Sequence, residues 1–171
     1  AIYGIINGTS NYILTKMTNE GGNFQDILRE AQECGYAERN PSLDIEGTDT
    51  AHKLAILISM AYGTVVTFER IYTEGISHLE PLDIEFTREL GYNIKLLAIA
   101  REINGQIEAR VHPTLIPDDH LLSRVDGTYN AVFIDGDAVG PGMYYGKGAG
   151  MMPTASAWRR CTSCARSRAT S

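Results

Sequence analysis

The chain has 171 residues, the size of one ordinary domain, and its 43% hydrophobic and 21% charged content supports a packed core and excludes wholesale disorder. Fifteen Lys plus Arg stand against 21 Asp plus Glu, and a net charge of −6 leaves no basic surplus for nucleic acid. No apolar run nears the roughly 18 residues of a membrane span, and no secretory leader is recognisable, so a cytoplasmic protein with no membrane partner is expected. The start at Ala1, directly inside a patterned segment, reads as part of a longer chain.

The run Gly4-Ile-Ile-Asn-Gly-Thr-Ser-Asn-Tyr-Ile-Leu opens on a polar turn at Asn7 to Ser10. Its continuation through Tyr12, Ile13, Leu14 and Met17 predicts an amphipathic helix from Gly8 or Thr9 to Gly21-Gly22. Phe24, Ile27, Leu28 and Ala31 form a second helical stripe ended by Gly35, and a polar loop of about ten residues from Tyr36 follows. Residues 46–62 predict a helix whose first half is charged and whose second half, Leu54 to Ala61, is apolar on all sides, as in a helix running into a core.

Thr73 to Ser77 reads as a short strand, and Pro81 to Leu90 as a helix with proline in its first turn. Two hairpins follow. The first joins Asn93–Arg101 to Gln106–Leu115 through Asn104-Gly105, and the second joins Tyr129–Ile134 to Ala138–Tyr145 through Asp135-Gly136-Asp137. Helices first and hairpins later predict an α+β fold, with a mixed or antiparallel sheet built from the C-terminal hairpins and covered by helices. The strand-helix-strand crossovers of a Rossmann-type nucleotide-binding domain are missing.

Three constellations carry chemistry. Asp49 and Lys53 stand i and i+4, with Glu46 three residues earlier. The pair is either an ordinary helix ion pair or a lysine at the edge of a core, directed by its carboxylate and able to move a proton. The loop Tyr36 to Asp44 offers Glu38 and Asp44 to the ammonium or hydroxyl of a small ligand, or is a solvated turn. Gly8-Thr9 is either a helix cap or a carboxylate-binding helix start. The third, Gly146-Lys-Gly-Ala-Gly, follows a strand and leads toward a possible helix, as a phosphate-approaching loop or a tight turn. No metal site is expected: the four histidines lack ligand spacing, and Cys161-Thr-Ser-Cys164 has no second pair. Cys34 reads as a packing residue.

Taken in register, these segments together with Glu30-Ala-Gln through Gly35-Tyr-Ala-Glu, Asp44-Ile-Glu-Gly-Thr-Asp-Thr-Ala-His-Lys-Leu, Glu74-Gly-Ile and Gly91-Tyr-Asn-Ile-Lys-Leu-Leu-Ala resemble homoserine dehydrogenase over residues 1–157. The resemblance implies an oxidoreductase that interconverts L-aspartate 4-semialdehyde and L-homoserine with NADPH or NADH, on the way to threonine, methionine and isoleucine. It implies that residues 1–157 are the catalytic and dimerisation domain of a homodimer, competent only when joined to a nucleotide-binding half. In that reading Lys53 is the catalytic proton donor and Asp49 its assisting carboxylate. Gly8, Thr9, Tyr36, Glu38 and Asp44 bind the substrate, and Gly148, Ala149 and Gly150 return to the cofactor. The alternative is a non-catalytic dimerisation fragment, inactive without the nucleotide-binding domain.

From Trp158 the character changes. Residues 158–171 hold four Arg, the single Trp and no acid, departing from the family pattern as a reading-frame shift would. This basic tail is expected to be disordered.

Overall fold

The structure is a computed structural model and describes residues 1–156. The expectation for residues 158–171 lies outside the described residues.

The first strand, β1 (Ile2–Ile5), runs into a polar turn and then helix α1 (Gly8–Glu20). Asn7 is the N-cap: its side-chain oxygen accepts from the Ser10 N–H at 2.9 Å, satisfying one of the donors a helix start leaves open. Helix α2 (Phe24–Glu33) buries the four residues of its predicted stripe, Phe24, Ile27, Leu28 and Ala31. Cys34 is its exposed C-cap, a correction to the packing role expected from sequence: the residue falls one turn beyond the buried stripe.

The long polar loop contains a single-turn helix, α3 (Ser42–Ile45), and ends at Gly47 in the left-handed region, where only glycine is unstrained. Helix α4 (Thr48–Tyr62) therefore begins two residues later than its charge pattern suggested, and Glu46 caps α3 instead of sharing a face with Asp49. Nor is the second half of α4 enclosed on all sides. Ala51, Leu54 and Ile58 are fully buried, whereas Ile56 and Met60 face outward at 61% and 79% exposure.

The expected strand at Thr73 to Ser77 is reduced to β2 (Tyr72–Thr73), because Gly75 presses against the backbone of Ile45 and Glu46, where any side chain would collide. Helix α5 (Pro81–Glu89) starts with a capping box between Glu80 and Asp83. The hairpins are β3 (Tyr92–Ile103) with β4 (Gln106–Pro117), and β5 (Tyr129–Gly136) with β6 (Gly140–Lys147). Asn104 and Gly105 both have positive φ, as a two-residue turn between twisted strands requires. Residues 151–156 are helical.

The sheet order is β2-β4-β3-β1-β5-β6, antiparallel except for the parallel β2/β4 pair. The mixed α+β architecture is thus as expected, but the strand that unites the hairpins, β1, was not anticipated from sequence. Ile94, Leu96, Ala98 and Ala100 of β3 join the helices in one apolar core. Leu97 and Ile99 join Ile116, Leu122, Val125 and Ala131 in a second core on the opposite face. This two-sided burial explains the nearly continuous apolar run of β3.

Candidate active site

The C-terminal end of β1 delivers the chain to the N-termini of α1 and α4. Here the α1 start, the Tyr36 loop, α4, the start of β5 and the Gly148–Gly150 loop surround a hollow of about 420 Å³.

Lys53 lines this hollow. Its Nζ donates to Asp49 Oδ2 at 2.7 Å and to the Ile6 carbonyl at 3.2 Å, which leaves one of three ammonium donors for a ligand. The ion pair is one helical turn of α4 in length, but the Ile6 carbonyl arrives from the end of β1 and aims the amine across the cleft. A surface pair of this kind contributes little stability, so its interest lies in direction.

Asn7, which the sequence reading did not assign to the site, organises both acids. Its Nδ2 donates to Asp44 Oδ1 at 2.7 Å and to Asp49 Oδ2 at 2.9 Å. The amide orientation is fixed independently, because Asn7 Oδ1 is occupied by the Ser10 N–H. One amide therefore caps α1 and bridges two carboxylates that would otherwise repel. The Ser10 hydroxyl also donates to the Asp44 carbonyl at 2.8 Å, fastening α3 to α1.

Gly8 and Thr9 line the hollow, with backbone N–H groups at the start of the α1 dipole. The Thr9 hydroxyl is engaged: it donates to the Tyr36 carbonyl at 2.7 Å. Tyr36 lines the hollow as well, its ring 4.8 Å from that of Tyr12. Behind it, the Tyr12 hydroxyl donates to Glu30, which also receives Lys16 at 2.6 Å. The Lys16 ammonium holds the Glu30 carboxyl below its usual range, and burial pushes the Tyr12 hydroxyl up.

Of the residues singled out from sequence, Lys53, Asp49, Asp44, Tyr36, Gly8, Thr9, Gly148, Ala149 and Gly150 all line one hollow. Glu38 does not: it is exposed outside it, with its backbone carbonyl held by Gln32 Nε2 at 3.0 Å. Thr128 and Asn130 complete the opposite wall. No local signal marks them, since they reach the site only through the pairing of β5 with β1. Asn7, in contrast, has a local signal that could have found it: an asparagine directly before a helix start is a preferred N-cap.

Among the described residues, no three His, Cys, Asp or Glu side chains are grouped to hold a metal ion, and no helix is long and apolar enough to cross a membrane. The glycine loop fits a cofactor approached closely by backbone: at Gly148 any side chain would run into Asn130.

An α+β domain with a lysine and two bridged carboxylates opening on a glycine loop has the form of a catalytic domain. Comparison with known proteins gives the family: the homoserine dehydrogenase model matches residues 1–159, and the chain belongs to that family. It is 54% identical over 157 residues to the homoserine dehydrogenase of Neisseria gonorrhoeae, covering 92% of this chain and 36% of the relative. It is 55% identical over 153 residues to that of Pseudomonas aeruginosa, covering 90% and 35%. The crystal structure of a homoserine dehydrogenase from Thiobacillus denitrificans superposes with a TM-score of 0.89 at 59% identity, covering 91% of this chain and 36% of that one. A hyperthermophilic archaeal homoserine dehydrogenase mutant in complex with NADPH superposes with a TM-score of 0.69 at 31% identity, over 87% and 41%. The chain thus spans little more than a third of the relatives it matches.

Proposed function

We propose that this chain supplies the substrate-binding and proton-transferring part of an NAD(P)-dependent interconversion of L-aspartate 4-semialdehyde and L-homoserine. The observation that carries the reading is Lys53, aimed into the hollow by Asp49 and the Ile6 carbonyl with one donor to spare. The substrate bears an ammonium, a carboxylate and a reacting carbonyl or hydroxyl. Asp44 suits the ammonium, and the α1 start at Gly8-Thr9 suits the carboxylate. Lys53 suits the third group: its ammonium stabilises the alkoxide that forms when the aldehyde is reduced, then gives it a proton. In the reverse direction the neutral amine takes the hydroxyl proton, and Asp49 stabilises the ammonium that results. When bound, NADPH or NADH would supply the hydride for reduction and NADP⁺ or NAD⁺ would accept it in the reverse direction, and the residues that would meet the cofactor are Gly148, Ala149 and Gly150. Glu38 would reach the substrate only through rearrangement of its loop. A cytoplasmic setting and a homodimer belong to the same reading.

The test has two parts. L-homoserine titrated into the 171-residue chain should shift the amide resonances of Gly8, Thr9 and Asp44; no shift at saturating ligand would overturn the assignment of the hollow. In a chimaera carrying this chain in place of the matching segment of the Neisseria gonorrhoeae relative, Lys53→Ala should lower kcat by about 10²-fold or more with the assembled mass unchanged. Unchanged turnover would leave the chain only a role in assembly.

A further inference from the structure

Lys95 is out of place by composition. It interrupts the apolar run of β3 and is 3% exposed. Its Nζ donates to the Val125 carbonyl at 2.7 Å, to Asp126 Oδ1 at 3.0 Å and to Asn11 Oδ1 at 3.4 Å. Asn11, itself buried in α1, donates through Nδ2 to the carbonyls of Val125 at 2.9 Å and Tyr129 at 3.1 Å. One turn further along α1, the Thr15 hydroxyl accepts from the Gly127 N–H at 3.0 Å. Apart from the Lys95–Asn11 contact, all of these bonds involve the five-residue segment 125–129, and none has a partner in the hollow. Yet this segment carries Thr128, whose carbonyl lies 3.0 Å from where a Cβ on Gly8 would stand, and it leads directly into Asn130.

We infer that Lys95 is a positioning residue: with Asn11 it forms a buried clamp that sets the gap between the start of α1 and the Thr128–Asn130 wall, and so the fit of the substrate. The inference rests on the reading of the hollow as the substrate site. Energetics argue for it. A buried ammonium is costly to hold, and its counter-charge Asp126 is 58% exposed, so the pair is not a strong source of stability. Burial drives the Lys95 ammonium below its usual range, with Asp126 opposing the shift. An aliphatic residue would serve the core as well, but it could not fasten the segment 125–129. Gly127 itself, at φ +62°, is tied to α1 through its N–H to Thr15, and the turn's other ties run through Lys95 and Asn11.

Lys95→Met in the 171-residue chain is the test, read by melting temperature, residue-resolved amide exchange and L-homoserine affinity. The expected result is a cooperative melt with a midpoint at or modestly below that of the unsubstituted chain, since Asn11 Oδ1 loses its donor. Exchange should accelerate by about tenfold or more at Gly127, Thr128 and Asn130 alone, with an affinity lowered by a similar factor. Unchanged local exchange, or exchange accelerated uniformly over sheet and helices, would overturn the clamp. So would locally accelerated exchange with affinity untouched. If Lys95→Met does not fold, Asp126→Asn, at an exposed site, decides by the same readouts. If the unsubstituted chain binds no L-homoserine, the reading of the hollow falls while the exchange pattern still decides whether the clamp exists.

Discussion

Asn7 does more at this site than any charged residue around it. Its carbonyl oxygen caps α1, and its two amide hydrogens separate Asp44 from Asp49. Asn7→Ala removes the cap and leaves two carboxylates facing one another without a donor. The expected loss is about 2 kcal/mol of folding free energy, measured by urea denaturation, together with the shifts that L-homoserine induces. The contrast with Lys53 and Asp49 shows what a sequence reveals at this scale. An i, i+4 pair is written within five residues and was legible. A bridge between residues 37 and 42 positions away is written nowhere locally, and neither is the arrival of Thr128 and Asn130. Glu38 stands outside the hollow for the converse reason: a loop of acids gives no sign of which one turns inward.

Helices α1 and α2 are joined beside the site by Lys16, Glu30 and Tyr12, with Tyr12 supporting the Tyr36 ring. Because Lys16 lowers the Glu30 carboxyl from its ordinary 4.5, the contribution of Glu30 is complete above that value and is lost as pH falls through the lowered one. Lys16 is raised, so its share is complete below its ordinary 10.5 and disappears only at more alkaline pH. Urea melts between about pH 3 and pH 7 should therefore show a smaller acid loss for Glu30→Gln than for the unsubstituted chain. Helix α4 offers a second comparison. Leu54 is fully enclosed, and Leu54→Ala is expected to cost about 3 kcal/mol, whereas Met60→Lys on the outward face should stay within about 0.5 kcal/mol. Sequence revealed the extent of α4 to within two residues. It did not reveal the uncovered face, because apolar composition does not say which partners are in place.

For the whole molecule, the first hairpin and helices α1, α2, α4 and α5 were readable because their signals are short, as at Asn104-Gly105, the Phe24 stripe and Pro81. The second hairpin instead turns at 137–139, two residues beyond the Asp135-Gly136-Asp137 expectation, because β5 stays paired through Gly136. The assembly was not readable. Four residues, Ile2–Ile5, containing a glycine and followed at once by a turn, gave no period to recognise, yet they form the seam of the sheet. Ile2 pairs with Ala100 on one side and with Ile134 on the other. Such distant pairings make refolding slow for the chain's size, in the range of milliseconds to seconds in a stopped-flow experiment, and a microsecond phase accounting for the full amplitude would contradict this.

The seam also dictates when the hollow is completed. Asn7, Gly8 and Thr9 precede by more than 110 residues the wall they face, which is carried by the start of β5, and β1 has no neighbour on that side until residues 131–134 arrive. A chain folded only as far as its first hairpin would hold Lys53 and both aspartates and still lack the wall that closes the hollow, so the cleft exists only in the finished sheet.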